Sequence, residues 1–262
     1  MDIAEKFAAN FNEIHQNKVD GVNLTTAKVL VDLSYPVADW LFTVEDVECA
    51  VWCKLDCGKA PGEDNISPEH LKYAHPSAIV NICKLFNLLL IHGYVPNKFG
   101  SGIIVPIIKD KLGDRSNLDN YRGTTLCSVI AKLFEIYLLE KFKGFLTTHD
   151  LQFGFKPSVG CAQALYVAQH VIDYFVKRGS TVYLAALDAS KAFDRVVHTC
   201  LFDKLRNQNV PLCFIRCIEN LYSKLYAVVR WNGCFSTPFS LHAGVRQCGV
   251  LSPILFNLYV DE

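Results

Sequence analysis

The sequence has no net charge, with 26 Lys and Arg against 26 Asp and Glu in 262 residues. It has no run able to span a membrane: the longest apolar candidate, Ile79 to Ile91, is too short and is broken by Asn81, Lys84 and Asn87. The leading MDIAEKFAANF lacks an apolar stretch behind basic residues, so no secretory signal is expected. There is no internal repeat and no low-complexity tract, and the eight histidines show no metal-ligand spacing. These absences argue against a membrane protein, a secreted disulfide scaffold and a His-based metallohydrolase. They lead to an expected intracellular location, cytoplasmic or nuclear, with the eleven cysteines reduced.

What is present is globular. Apolar residues make up 51 % of the chain and charged residues 20 %, enough to build the core of one large domain or two small ones. The neutral balance hides an asymmetry: residues 1–50 hold three Lys/Arg and nine Asp/Glu, so the remainder carries +6. A basic body suits a phosphate backbone, although an ordinary solvated surface reads the same way. Cys49, Cys53 and Cys57 recur at one-turn spacing on one helical face. A metal site there lacks a fourth ligand, and a buried stripe of small residues is the expected reading, as for Cys213 and Cys217.

The pattern predicts a mixed α+β chain. Thr43 and Asp46 form an N-cap signature for a helix from Val44 to Leu55, with Gly58 near its end. Pro68 opens a helix, and another covers Ile79 to Ile91 and ends at His92-Gly93. Ile103 to Ile108 is a strand that Pro106 demotes to an edge or bulge position. Lys109 to Asn120 is an exposed loop, followed by a helix from Ser128 to Phe142. After a Gly/Pro loop, a helix covers Gln163 to Val176. Thr181 to Leu187 is a continuous apolar run of strand length, expected to be buried on both faces. Helix from Lys191 to Tyr222 is broken at Pro211. Asn232-Gly233 marks a hairpin between Ala227–Trp231 and Ser236–Leu241. Ser252-Pro253 opens a last helix as cap and first residue.

Asp188 ends the apolar run. A carboxylate at the carboxyl end of a buried strand is placed for chemistry. With the Ala189 carbonyl beside it, it offers hard oxygen ligands to Mg²⁺; capping the next helix would equally account for it. The surrounding LDASKAFDRV resembles the first catalytic motif of reverse transcriptases, above all those of non-LTR (LINE-like) retrotransposons and of group II introns. KAPGEDNISPEHL is similar to that family's K-x-P-G-x-D block. GSGIIVPIIKDK and NYRGTTL resemble its fingers motifs, LQFGFKPSVGCAQAL its Q-x-G-F-R-x-G block, and GVRQCGVLSPILFNLYVDE its R-Q-G-x-x-L-S-P-x-L-F-N block. The resemblance runs in family order from about Leu55 to Glu262, with residues 1–54 outside it.

This resemblance implies reverse-transcriptase-like fingers and an incomplete palm: a helical leader at 1–54, fingers at 55–178, and a partial palm at 179–262 that stops before the Y-x-D-D hairpin and thumb. It implies RNA-templated DNA synthesis in the complete protein, with RNA template, DNA primer and deoxynucleoside triphosphates as partners and two Mg²⁺ ions. Asp188 and Ala189 would hold metal, and Asp188 would be catalytic. Lys109 and Arg122 would bind the triphosphate, Phe193 would select the sugar, and Gln247 would line the nucleotide pocket. Asp194 matches a family position but reads as structural. The terminal Tyr259 to Glu262 mimics the Y-x-D-D box yet belongs to the Ser-Pro helix. Cys248 stands where the family has Gly, which puts catalysis in question. Gly123 follows Arg122 where many relatives have Pro. The competing readings are a catalytically dead remnant or RNA-binding module, and a maturase-like splicing cofactor.

Overall fold

Thr43 caps the helix that follows it. Its hydroxyl accepts from Asp46 N at 3.1 Å and the Asp46 carboxylate accepts from Thr43 N at 3.0 Å, the reciprocal cap that satisfies two orphan donors. The computed structural model describes residues 2–16 and 37–261. Its helices are α1 (Ile3–His15), α2 (Val44–Lys54), α3 (Pro68–Lys72), α4 (Pro76–His92), α5 (Val129–Phe142), α6 (Cys161–Val176), α7 (His198–Asn207), α8 (Leu212–Tyr222) and α9 (Ser252–Val260). Its strands are β1 (Ser101–Ile108), β2 (Tyr121–Leu126), β3 (Tyr226–Trp231), β4 (Cys234–Phe235) and β5 (Phe239–Ser240). Among the described residues no helix is long and apolar enough to cross a membrane.

The main core lies among α2, α4, α5, α7, α8 and α9. Phe86, Phe134, Phe142 and Phe214 are fully buried, each contributing about 1.5–3 kcal/mol by leaving water. Phe134 of α5 packs its ring 5.2 Å from that of Phe86, and Phe142 lies 5.1 Å from Phe214. A smaller core joins α1 to the sheet: Phe7 and Ala8 pack with Ile104, Ala227 and Val229. The Phe7 ring is 4.9 Å from Tyr121 and 5.1 Å from Trp231.

The sheet runs β2-β1-β3-β4, with β5 also paired to β3. β1 is antiparallel to β2 and parallel to β3, so strands from both sides of position 178 share one sheet. The expected edge position of β1 is therefore corrected. It is interior, and it tolerates Pro106 because pairing with β3 covers only Ser101 to Ile104. Asn232 and Gly233 take φ values of +46° and +81°, making the tight turn between β3 and β4.

Three further expectations are corrected. Thr181 to Leu187 is not a buried strand: it has no regular structure, and Tyr183 and Leu187 are 92 % and 100 % exposed. No strand among the described residues lies beside it, so with no ladder to join, its exposed backbone groups are left to water. α6, just before it, likewise has no buried residue. Cys49 and Cys53 are exposed because α2 turns Val47, Ala50 and Val51 to the core instead, and Cys57, also exposed, lies past the end of that helix. Ser252 lies inside α9, and its hydroxyl donates to the Arg246 carbonyl instead of capping.

Candidate functional site

A cleft of about 520 Å³ opens between α1, β2 and the segment that follows Lys191. Volumes of a few hundred Å³ are typical of sites for small ligands. β2 contributes Tyr121 to Thr125, α1 contributes Asn10 and Phe11, and the far wall is Lys191, Phe193, Asp194 and Gln247. Lys109, just past the end of β1, completes the rim. Of the residues singled out from sequence, Lys109, Arg122, Phe193 and Gln247 thus converge on one cavity. Asp188 and Ala189 do not line it; they are exposed in the irregular stretch before Lys191.

Each wall has a local cause. Lys109 is held at the mouth because its ammonium donates to the Asp119 carbonyl at 2.8 Å, while Lys191 lies 3.5 Å from the Asp119 carboxylate. The cleft lining holds Lys109, Arg122 and Lys191 against the carboxylates of Asp119 and Asp194, a small positive excess that suits an anion. Lys191 takes φ +55°, turning the chain into the short 3-10 helix Ala192–Arg195. Phe193 does not open to the cleft freely: it stacks on Phe256 of α9 at 4.4 Å and meets Phe155 edge-on at 5.6 Å. This contact ties the loop that carries Phe155, the 3-10 helix and α9 together.

The Gln247 wall is built by pairing two of the recognised blocks. Val245 N donates to the Phe193 carbonyl at 2.8 Å, and Gly244 N to the Val196 carbonyl at 2.8 Å. Gly244 has φ +92°, and a Cβ there would lie 2.9 Å from the Asp194 backbone, so only glycine fits. Gln247 Nε2 donates to Asp194 Oδ1. His15, buried at the end of α1, donates from Nδ1 to the Ala243 carbonyl at 3.0 Å and places Nε2 3.8 Å from the same Asp194 oxygen.

Beneath this wall lies a buried ion pair. Arg246 Nη1 donates to Glu135 Oε1 at 2.8 Å, with side-chain exposures of 5 % and 3 %. Glu135 Oε2 also accepts from Leu251 N at 3.1 Å. Burial alone would lower the guanidinium pKa, but the Cys248 and Cys127 sulfurs and the Glu135 carboxylate hold it above its ordinary value. The K-x-P-G-x-D block braces the same region. Asp64 accepts from the Ser128 hydroxyl at 2.6 Å, and a Cβ on Gly62 would sit 2.6 Å from the Cys127 backbone. Sequence reasoning does not single out His15, Glu135 or Asp64 for this architecture. His15 lies in the weakly patterned leader, and Glu135 sits in a helix where a charged residue reads as solvated.

The donor set for a metal centre is a separate matter. Among the described residues no group of three or more His, Cys, Asp or Glu side chains converges to hold an ion. The described residues therefore do not assemble a two-ion centre. The Asp261 carboxylate accepts from His149 N at 2.9 Å, which leaves the end of α9 in a structural role.

Comparison of the sequence with known proteins shows the family. The chain belongs to the reverse transcriptase (RNA-dependent DNA polymerase) family, whose model matches residues 108–262. It is 30 % identical over 209 residues, 80 % of its length, to the Retrovirus-related Pol polyprotein from type-2 retrotransposable element R2DM of Drosophila melanogaster. It is 28 % identical over 228 residues, 84 % of its length, to the RNA-directed DNA polymerase from mobile element jockey of Drosophila funebris. The probable RNA-directed DNA polymerase from transposon X-element of Drosophila melanogaster is 30 % identical over 78 % of the chain. The chain spans only 19 %, 24 % and 23 % of these three relatives. The family generally uses divalent metal ions and acts on nucleic acid and nucleoside triphosphates.

Proposed function

We propose that the cleft binds the triphosphate of an incoming deoxynucleotide, as part of a non-LTR retrotransposon polymerase that copies RNA into DNA. The observation that carries this is the convergence of Lys109, Arg122, Phe193 and Gln247, from four separate sequence blocks, on one cavity. Lys109 and Arg122 neutralise the phosphates, Arg122 with a fork suited to bidentate contact. Phe193, rigidly stacked on Phe256, sets the floor against which the sugar lies. Gln247, held by Asp194, fixes the width of the pocket. In the complete protein Asp188 and the Ala189 carbonyl would be this chain's share of the ligands to two Mg²⁺ ions, whose charge would assist nucleotidyl transfer. RNA template and DNA primer would be gripped through their backbones by fingers at 55–178 and palm at 179–262.

A second reading is favoured by the exposed, isolated position of Asp188: binding of nucleotide or RNA without catalysis. Titrating the chain with a deoxynucleoside triphosphate by calorimetry tests the shared premise. Losing a charge-assisted contact is worth about 1.5–3 kcal/mol, so Arg122→Ala should weaken binding by about tenfold to a hundredfold. Equal affinity in the variant would overturn the assignment. Primer extension on an RNA template that is lost in Asp188→Ala would decide for catalysis over binding alone.

A further inference from the structure

The structure assigns Cys127 and Cys248 to a redox pair: a two-electron oxidant of the peroxide class converts them to a disulfide that ties the end of β2 to the Gln247 wall of the cleft. Both are free thiols on segments 121 residues apart. Cys127 is buried, with its Sγ 3.6 Å from the Cys248 carbonyl. Its S–H donates to that carbonyl, which places the two cysteines side by side. Gly62 closes over the Cys127 backbone, where a Cβ would sit 2.6 Å from the Cys127 carbonyl carbon.

The two cysteines are not equivalent. Cys248 is half-buried and within reach of solvent, whereas Cys127 is sealed. Burial raises the Cys248 thiol, but the Cys127 S–H and the Arg246 guanidinium outweigh it and hold its pKa below the ordinary value; Glu135 opposes them and Lys132 assists. Hydrogen bonding to Cys248 and burial push the Cys127 thiol far up. A low-pKa, accessible thiol beside a protonated resolving thiol is the arrangement of redox-sensing pairs. The Cys248 thiolate attacks hydrogen peroxide, forming the sulfenic acid and releasing hydroxide. The Cys127 sulfur then attacks that sulfenic sulfur, forming the S–S bond and expelling the oxygen as water with the proton from Cys127. Peroxide is reduced and the two sulfurs are oxidised by one electron each.

Because Cys127 and Gln247 flank the two walls, the bond would fix their separation. The test needs no polymerase activity. The folded chain is treated with stoichiometric hydrogen peroxide, alkylated and digested with trypsin without reductant. Cleavage after Arg122, Lys132 and Arg246 puts Cys127 alone in the peptide 123–132 and Cys248 alone in the peptide beginning at Gln247. The expected result is these two peptides linked, lighter than their sum by two hydrogens, and separated again by reductant. Cys127→Ser should strand Cys248 as a sulfenic acid that a cyclic 1,3-diketone captures. Recovery of both cysteines separately alkylated, a link that forms only in denaturant, or oxidation confined to the exposed pair Cys49 and Cys53, whose sulfurs lie 3.9 Å apart, would overturn the proposal. If Cys127→Ser does not fold, timed alkylation of the native chain decides the same question: Cys248 must react well before Cys127.

Discussion

Replacing Glu135 by Leu would remove one half of the buried ion pair under the cleft and expose how much of the site rests on it. The pair is 2.8 Å long with both side chains nearly inaccessible. Removing one partner of such a pair costs about 3–5 kcal/mol, because the other charge is left buried without compensation. Arg246 has little reserve, since its Nη2 is already without a hydrogen-bond partner. The Leu251 N–H, which now donates to Glu135 Oε2, would also be orphaned, adding about 1–3 kcal/mol. Against a total of about 5–15 kcal/mol for a typical domain, the single change should leave the chain marginal. Urea unfolding followed by circular dichroism reads this directly. With a slope of about 1–3 kcal/mol per molar, the midpoint should fall by more than about 1 M. The double variant Glu135→Leu with Arg246→Met removes both charges and should recover most of the loss, since an apolar replacement of a buried pair is often neutral or stabilising. A midpoint unchanged in Glu135→Leu, or a double variant no better than the single, would refute the argument that charge burial organises this wall.

Other outcomes follow from single contacts. Gly244→Ala should cost about 1–3 kcal/mol, since it forces a side chain into the left-handed region and against Asp194; thermal melting checks this. Thr43→Ala breaks the reciprocal cap of α2 and should cost about 0.5–2 kcal/mol in the same assay. His198 has its pKa lowered from 6.5 by burial and by the nearby His242 and His15, against the raising effect of its bond to the Gly244 carbonyl. The unfolded state therefore binds the proton more readily, so this residue's contribution is intact above pH 6.5 and is lost as pH falls below it. The drop in urea midpoint on acidification from neutrality should be smaller in His198→Gln than in the parent; identical profiles would reject the assignment.

What is legible in sequence is whatever depends on neighbours a few residues away. Thr43 with Asp46, Gly93 after His92 and Asn232-Gly233 are local chemistry, and each sits where its chemistry requires. The ordered blocks also bring Lys109, Arg122, Phe193 and Gln247 together, although nothing in their spacing states that the 138 positions from Lys109 to Gln247 close into one cleft. Long-range partnership is not legible. His15 has no assignable role until α1 packs Phe7 and Phe11 along the sheet, and Glu135 reads like any helix-surface acid until Arg246 lies beside it. The segment expected to be a strand makes the same point from the other side. Thr181 to Leu187 has the composition of a doubly buried strand, but a strand is a relation between segments, and the described residues provide no partner for it. Its exposed apolar side chains and those of α6 lie immediately before Asp188. The position of Asp188 is therefore tied to whatever covers this surface, whereas the cationic cleft is held by contacts already made. The proposed nucleotide binding and metal binding would accordingly rest on different parts of the chain, so the Arg122→Ala titration can succeed or fail independently of any test at Asp188.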